Sequence, residues 1–377
     1  MKIIIAGDLS PTNRVSNLFS EGHYETVLSE VKNTIEAADY SIVNLETAIV
    51  GEIKPTPTVK WSPNLSSSPC VIDALKYAGF KCVTLANNHF RDYGNESVEF
   101  ALNSLKEKGV DYVGGGLNLV DSQKILYKSI CGIKVAFVNF CEHEMTTATE
   151  KNAGCAPLDL IENYRQISEA KRKAKFVIVI VHGGHEHYQL PSPRMQKTYR
   201  WFTEIGADVV VNHHQHCYSG YELYNGNPIF YGLGNFCFDS NNSNYSLWNE
   251  GLLLQLDITD ELSFQLIPYE QCFHEPHVKL LENERKQKVL DTISNLNDII
   301  SNEDKVLENH IIYCRSRYDD MRMCMAPYTN RVLFSLALRR IIPSFDNKKR
   351  ALRAIDYIEC ESHNDVFINY LYNIVNE

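Results

Sequence analysis

The sequence predicts an α/β protein built on a largely parallel sheet and followed by a helical C-terminal region. Three observations carry that expectation. Short apolar or β-branched runs recur along the first two-thirds of the chain, and many are apolar almost throughout, as in strands covered on both faces. Helical patterns lie between several of these runs, an alternation that implies parallel pairing. After about Pro276 helical periodicity takes over.

The elements follow in order. "KIIIAGD", "YSIVNLE", "KCVTLANN", "DYVGGG", "KVAFVNF", "KFVIVIVHGG", "ADVVVNHHQH" and "PIFYGLGNF" read as strands. "SSSPCVIDALKYAGF" reads as a helix opened by Ser and Pro and closed by Gly79. "NESVEFALNSLKEKGV" places Val98, Leu102 and Leu105 at helical spacing and ends at Gly109. "GLLLQLDITDELSFQLIPY" reads as a β-hairpin, and "EIKPTPTVKWSPNLSSSP" as a long surface loop. Val289, Ile293, Leu296 and Ile300 share one helical face, and "RVLFSLALRRII" and "DVFINYLYNIV" are helix-like. A boundary is expected near residue 275, giving domains 1–275 and 276–377.

Composition narrows the function classes. The chain has 377 residues, 22% of them charged, and a formal net charge of −10. That balance argues against nucleic acid and against non-specific attraction to an anionic membrane. It leaves an anionic or polymeric substrate open, because a metal can reverse the local field. The eleven cysteines form no C-x-x-C pair, so free thiols in a reducing cytoplasm are expected. The N-terminal apolar run is too short for a signal peptide, and no stretch approaches a transmembrane span.

Chemistry gathers at the strand ends. Asp8, Glu46, Asn87, Asn88 and His89 each follow an apolar run, as do Glu142, His143 and Asn235. Six of the thirteen histidines fall in two short clusters, His182, His185 and His187, then His213, His214 and His216. Such clustering is hard to explain on a structural surface. Carboxylate, amide oxygen and imidazole together suit zinc or another divalent transition metal.

Taken as a set and in order, "GD", "VNLET", "LANNHFRDYG", "GGGLN", "HGGHEHY", "GADVVVNHHQH" and "NPIFYGLGNFCFD" resemble the motifs of the CapA family, bacterial capsule-synthesis proteins associated with poly-γ-glutamate. The resemblance covers residues 1 to 245. It implies the fold of the calcineurin-like metallophosphoesterases, a four-layer α-β-β-α sandwich, and a hydrolase with two divalent ions, Mn, Zn or Fe. It implies Asp8, Glu46 and His216 as ligands of a first metal, with Glu46 bridging to a second held by Asn88, His182 and His214. His89 would stabilise the leaving group or transition-state charge, and Glu186 is a second candidate catalytic residue. The bond cleaved would be a phosphoester or a γ-glutamyl amide. A non-catalytic accessory role in polymer assembly, with peripheral contact to the capsule-assembly machinery, is the other reading.

This chain departs from the pattern in places. Ser10 stands where phosphoesterases of this fold carry a second first-strand ligand, a histidine. Gly183 replaces an aromatic residue, and His187 intervenes before Tyr188. His213 is expected to point away from the metals. The glycines of "GGGLN" read as a turn and Asp92 as a helix cap. Arg14 and Arg91 read as solvated charges, and Cys217 and Cys237 as small buried hydrophobes. The basic, apolar "RVLFSLALRRII" with "PSFDNKKRALR" reads first as a packed helix and second as a membrane contact.

Overall fold

Side-chain alternation along the strands sorts the apolar residues into three layers. The computed structural model describes residues 1–52, 55–60, 62–240, 244–259, 261–318, 330–343 and 348–376. Successive strand residues point to opposite faces. Ile3 and Ile5 therefore face one way with Ile42, Ile178, Ile180, Val209 and Val211, and all of these are buried between two sheets. Ile4, Ala6, Val43 and Val83 face the other way, onto helices Asn13–Ser20, Tyr24–Glu36, Cys70–Ala78 and Gly94–Lys108. Val177, Val179 and Val181 pack on helices Leu160–Lys173 and Pro193–Glu204 through Ile167, Met195, Tyr199 and Phe202. The result is the four-layer α-β-β-α sandwich.

The largely parallel pairing expected from alternation is divided between the two sheets of the sandwich, and each sheet also carries antiparallel strands. The first runs Val278–Leu280, Leu262–Gln271, Glu250–Ile258, Lys2–Leu9, Tyr40–Leu45, Cys82–Thr84 and Asp111–Val113, with Asn235–Cys237 also paired to Lys2–Leu9. The second runs Tyr221–Tyr224, Asn227–Phe230, Val209–His213, Phe176–His182, Ile133–Cys141 and Leu126–Ile130. In the second sheet parallel pairs occupy the middle and antiparallel strands the edges. In the first, Lys2–Leu9, Tyr40–Leu45, Cys82–Thr84 and Asp111–Val113 pair in parallel out to one edge, and the strands on the other side of Lys2–Leu9 pair antiparallel. The hairpin read from "GLLLQLDITDELSFQLIPY" pairs Glu250–Ile258 with Leu262–Gln271.

The first compact unit runs from Met1 to His310, past the boundary expected near residue 275. Burial explains the extension, since Val289 and Ile293 of helix Asn283–Ile300 join the inter-sheet core. Residues 311–377 cluster separately and contain helices Arg331–Leu338, Lys348–Glu359 and Glu361–Asn376. Among the described residues, no helix is long and apolar enough to cross a membrane.

Candidate metal centre

The inter-sheet layer changes chemistry along its length. At the C-terminal ends of the strands the inward positions turn polar: Asn44 and Glu46 follow Ile42, Thr84 follows Cys82, Asn139 follows Phe137, His182 follows Ile180, and His213 follows Val211. The first strand reaches the same face through a bulge. Ile5 pairs with Ile42 and Asp8 with Asn44, the register shifting between Ala6 and Asp8. Gly7 makes this possible, because a Cβ there would lie 1.9 Å from the Gly234 carbonyl oxygen.

Every predicted metal-binding side chain is buried, and together they make two overlapping groups. Glu46, His182 and His214 present ligand atoms within 4.8 Å of one another, and Asp8, Glu46 and His216 do the same. His182 Nε2 lies 3.0 Å from Asn88 Oδ1 and 3.1 Å from His214 Nδ1. Glu46 Oε1 stands 3.6 Å from His182 Nε2 and 3.7 Å from His216 Nε2. Neither Glu46 oxygen has a hydrogen-bond partner, although the residue is fully buried. Burial, then the charge of Asp8, holds the Glu46 carboxyl well above the usual range. Burial would raise Asp8 too, but the neighbouring His213, His182 and His216 bring it below its usual value. A buried, unpartnered carboxylate is costly. A cation bound among these donors would remove the cost, and this donor set fits a divalent transition ion.

The supporting residues set orientation. Asn235 Nδ2 donates to the carbonyls of His216 and Trp248, so its Oδ1 is the atom 2.9 Å from His216 Nδ1. Nδ1 therefore carries the proton, and the Nε2 lone pair faces Glu46. The His216 ring sits 4.9 Å from the Trp248 ring and 5.5 Å from the Phe238 ring. Burial and the nearby His216 push His214 down to about 4, which keeps it neutral and able to ligate. His214 has φ +90° and His216 φ +53°, a left-handed backbone that non-glycine residues adopt at a cost, as at many functional sites.

His89 faces the same pocket without joining either group. Its Nε2 lies 4.0 Å from Glu46 Oε1, and its Nδ1 lies 2.6 Å from Asp92 Oδ2. Asp92 is therefore no helix cap. It is fully buried, accepts from Leu65 N at 2.6 Å, and pairs with Lys60. The Pro- and Ser-rich segment is likewise more than a surface loop. The Lys60 side chain is 3% exposed, and its Nζ donates to the Asn88 carbonyl at 3.0 Å. Residues 53, 54 and 61 of that segment lie outside the described residues.

The remaining candidates divide. Glu186 is exposed, yet its carboxylate forms a third metal-compatible group with His214 and His216. His213 does not turn away from the centre: its Nδ1 lies 3.2 Å from Asp8 Oδ1. Ser10 is buried, and its hydroxyl has no hydrogen-bond partner. Asn87 holds the turn, donating to the Leu45 carbonyl at 2.9 Å and accepting from His89 N. Glu142 pairs with Arg194. Arg14 is not a solvated charge, since it pairs with the buried Asp239 and donates to the carbonyls of 272, 273 and 274. Gly114 has φ +87° and abuts Asn139, which supports a turn in "GGGLN". Cys217 and Cys237 are buried. Sequence reasoning does not single out Asn44, though its Nδ2 donates to Asp8 Oδ1 at 2.8 Å and lies 3.2 Å from His182 Nδ1. Its position two residues before Glu46, on the same face of a strand, is the signal that could have found it.

The bacterial capsule synthesis protein family PGA_cap matches residues 2–240. The capsule biosynthesis protein CapA of Bacillus anthracis is 31% identical over 246 residues, 63% of this chain and 60% of its own. The PGA biosynthesis protein CapA of Bacillus subtilis (strain 168) is 31% identical over 236 residues, 62% of each chain. The match thus spans about three-fifths of these relatives. Among solved structures, a 5'-nucleotidase precursor from Thermus thermophilus aligns over 78% of this chain and 58% of its own, at 12% identity and a TM-score of 0.41.

Proposed function

We propose that this chain, which belongs to the bacterial capsule synthesis protein family PGA_cap, is a metal-dependent hydrolase of capsule or exopolymer metabolism, of the poly-γ-glutamate type. The observation that carries this reading is Glu46, a fully buried carboxylate with two unpartnered oxygens between two sets of metal-compatible donors. On this reading Asp8, Glu46 and His216 hold one divalent ion, and Glu46, Asn88, His182 and His214 a second. When bound, such ions lower the pKa of a water and neutralise charge on the group under attack.

The chain's own residues supply the rest. Asp92 fixes the His89 ring through Nδ1, leaving Nε2 turned to the pocket. In that position His89 donates a proton or hydrogen bond to the departing oxygen of a phosphoester or related bond. Glu186, exposed beside His214 and His216, faces the substrate side and either binds the substrate or moves a proton. The described cysteines are free thiols, which supports a reducing, cytoplasmic setting. Ser10 favours a second reading, because one donor set lacks an imidazole that a catalytic pair would use. In that reading the site binds a polymer or its precursor without cleaving it, as an accessory to assembly.

Elemental analysis of the purified protein, followed by phosphoester and γ-glutamyl amide substrates with added Mn²⁺, Zn²⁺ or Fe²⁺, tests the proposal. His182→Ala and His214→Ala should each lower metal content and melting temperature together. Unchanged metal content in both would overturn the site. Full metal content with no turnover on either substrate class would favour the accessory reading.

A further inference from the structure

Lys60 is a buried cation that neither the hydrophobic core nor the proposed chemistry uses. Its side chain is 3% exposed, although it belongs to a Pro- and Ser-rich stretch with no helical or strand period. Burying an ammonium carries a large desolvation cost, and an apolar side chain of similar length would fill the space without it. The contacts of Nζ indicate what the charge is kept for.

Nζ donates to the Asn88 carbonyl at 3.0 Å and pairs with Asp92 Oδ1. It also stands 3.2 Å from His89 Nδ1. A carboxylate only accepts, so the 2.6 Å contact between His89 Nδ1 and Asp92 Oδ2 places the proton on Nδ1. The ring and the ammonium are then two donors converging on one carboxylate. Leu65 N and His89 share Asp92 Oδ2, while Lys60 holds Oδ1 and stops the carboxylate from turning. A single ammonium thus touches the main chain of Asn88, whose Oδ1 lies 3.0 Å from His182 Nε2, and the carboxylate that fixes His89. Thr58 fastens the same turn, its N donating to the Asp92 carbonyl at 2.7 Å and its Oγ1 to the Arg91 carbonyl at 2.6 Å.

Resting on the metal-dependent hydrolase reading, we propose that Lys60 is a positioning residue of the metal centre. It sets Asn88 and His89 relative to one another, so that the ligand amide and the proton-donating ring face the same point. A counter-ion serving Asp92 alone needs no bond to Asn88, and its removal would leave ion binding untouched. A residue that orients a ligand must alter ion binding, and loss of such outer contacts usually changes metal affinity or turnover by about 10- to 100-fold.

Lys60→Ala and Lys60→Met in the full chain test this, by equilibrium dialysis against Zn²⁺ or Mn²⁺ beside steady-state kinetics and thermal melting. Both variants should bind the His182-side ion, the one retained through dialysis, about tenfold or more weakly. In both, kcat should fall over a similar range with KM little changed. Propylammonium has the atoms that Lys60→Ala removes, and it should restore ion affinity to that variant but not to Lys60→Met. Lys60→Met keeps the slot filled and carries the comparison if the alanine variant does not fold. A lowered melting temperature with wild-type ion affinity would make Lys60 a counter-ion for Asp92 only and overturn the proposal. So would weakened binding in Lys60→Ala that propylammonium leaves unchanged. Wild-type protein that binds neither ion would defeat the metal centre itself, and this inference with it. Wild-type protein that binds its ions but cleaves neither substrate class would defeat the hydrolase reading alone, and the affinity shift would still decide for or against Lys60.

Discussion

The two sides of Glu46 are unequally built. On the His182 side, an amide oxygen and two imidazole nitrogens meet within 3.0 and 3.1 Å. On the Asp8 side the carboxylate is already engaged, accepting from Asn44 Nδ2 at 2.8 Å and from His214 N at 3.1 Å. There His216 is the imidazole in the metal-compatible group, and Ser10 contributes an unpartnered hydroxyl. Imidazole binds borderline-soft divalent ions better than a hydroxyl does. Two ions bound here should therefore differ in affinity: a firm one between Asn88, His182 and His214, and a loosely held partner beside Asp8.

Glu46→Gln strikes what both sides share and should have the largest effect. Two ions should be lost together, and with each the stabilisation that metal saturation gives, about 2.7 kcal/mol per site at a hundred times Kd. The chelator-treated forms of wild type and variant should melt close together, because burial already raises the Glu46 carboxyl and favours its neutral state. Calorimetry with and without metal checks this. A variant that keeps either ion would show that Glu46 is not the bridge.

Much of this comparison is legible in the sequence, for a physical reason. Candidate metal ligands at strand ends are polar residues interrupting apolar runs, and Asp8, Glu46, Asn88, His182, His214 and His216 all stand out that way. What is not legible depends on contacts far apart in the chain. Lys60 sits in a segment without periodicity, and only folding shows that it pairs with Asp92 across 32 positions. Asp92 reads as a cap because it precedes a helix by two residues, but its partners are His89, Leu65 and Lys60. The division of strands between two sheets is also hidden. Strands of either sheet are covered on both faces, so their patterns are alike. The end of the first unit escapes sequence reading because Val289 and Ile293 read as one face of a helix, with no sign of what that face covers.

His89 separates chemistry from loading. His89→Ala should retain both ions and lose about 10²-fold in kcat, the usual scale of lost acid–base help. Asp92→Asn should fall in the same direction, since it frees the ring that Asp92 now holds through Nδ1. It should also destabilise the fold by roughly 3–5 kcal/mol, because it leaves Lys60 buried without its counter-charge. Metal analysis beside a rate measurement distinguishes the two variants. Loss of metal in His89→Ala would make that residue a ligand and end its assignment as the acid.

Ser10 sharpens the comparison with the smallest expected change. With Asp8, Glu46 and His216 as its protein ligands, the ion on that side should leave on dialysis and return when Mn²⁺ is added. Activity should follow that addition and saturate well above the protein concentration. Ser10→His supplies the absent imidazole and should tighten this ion by about tenfold, roughly 1.4 kcal/mol, with the His182-side ion unchanged. The position is buried, so the larger ring needs a control. Ser10→Ala removes the unpartnered hydroxyl without adding volume and should leave the affinity where it is. Wild-type protein that holds two ions through dialysis would defeat the asymmetry. Glu186, whose carboxylate already groups with His214 and His216, would then be the residue to replace by Gln, and loss of the Asp8-side ion in Glu186→Gln would show that this exposed carboxylate has taken the place of the first-strand histidine.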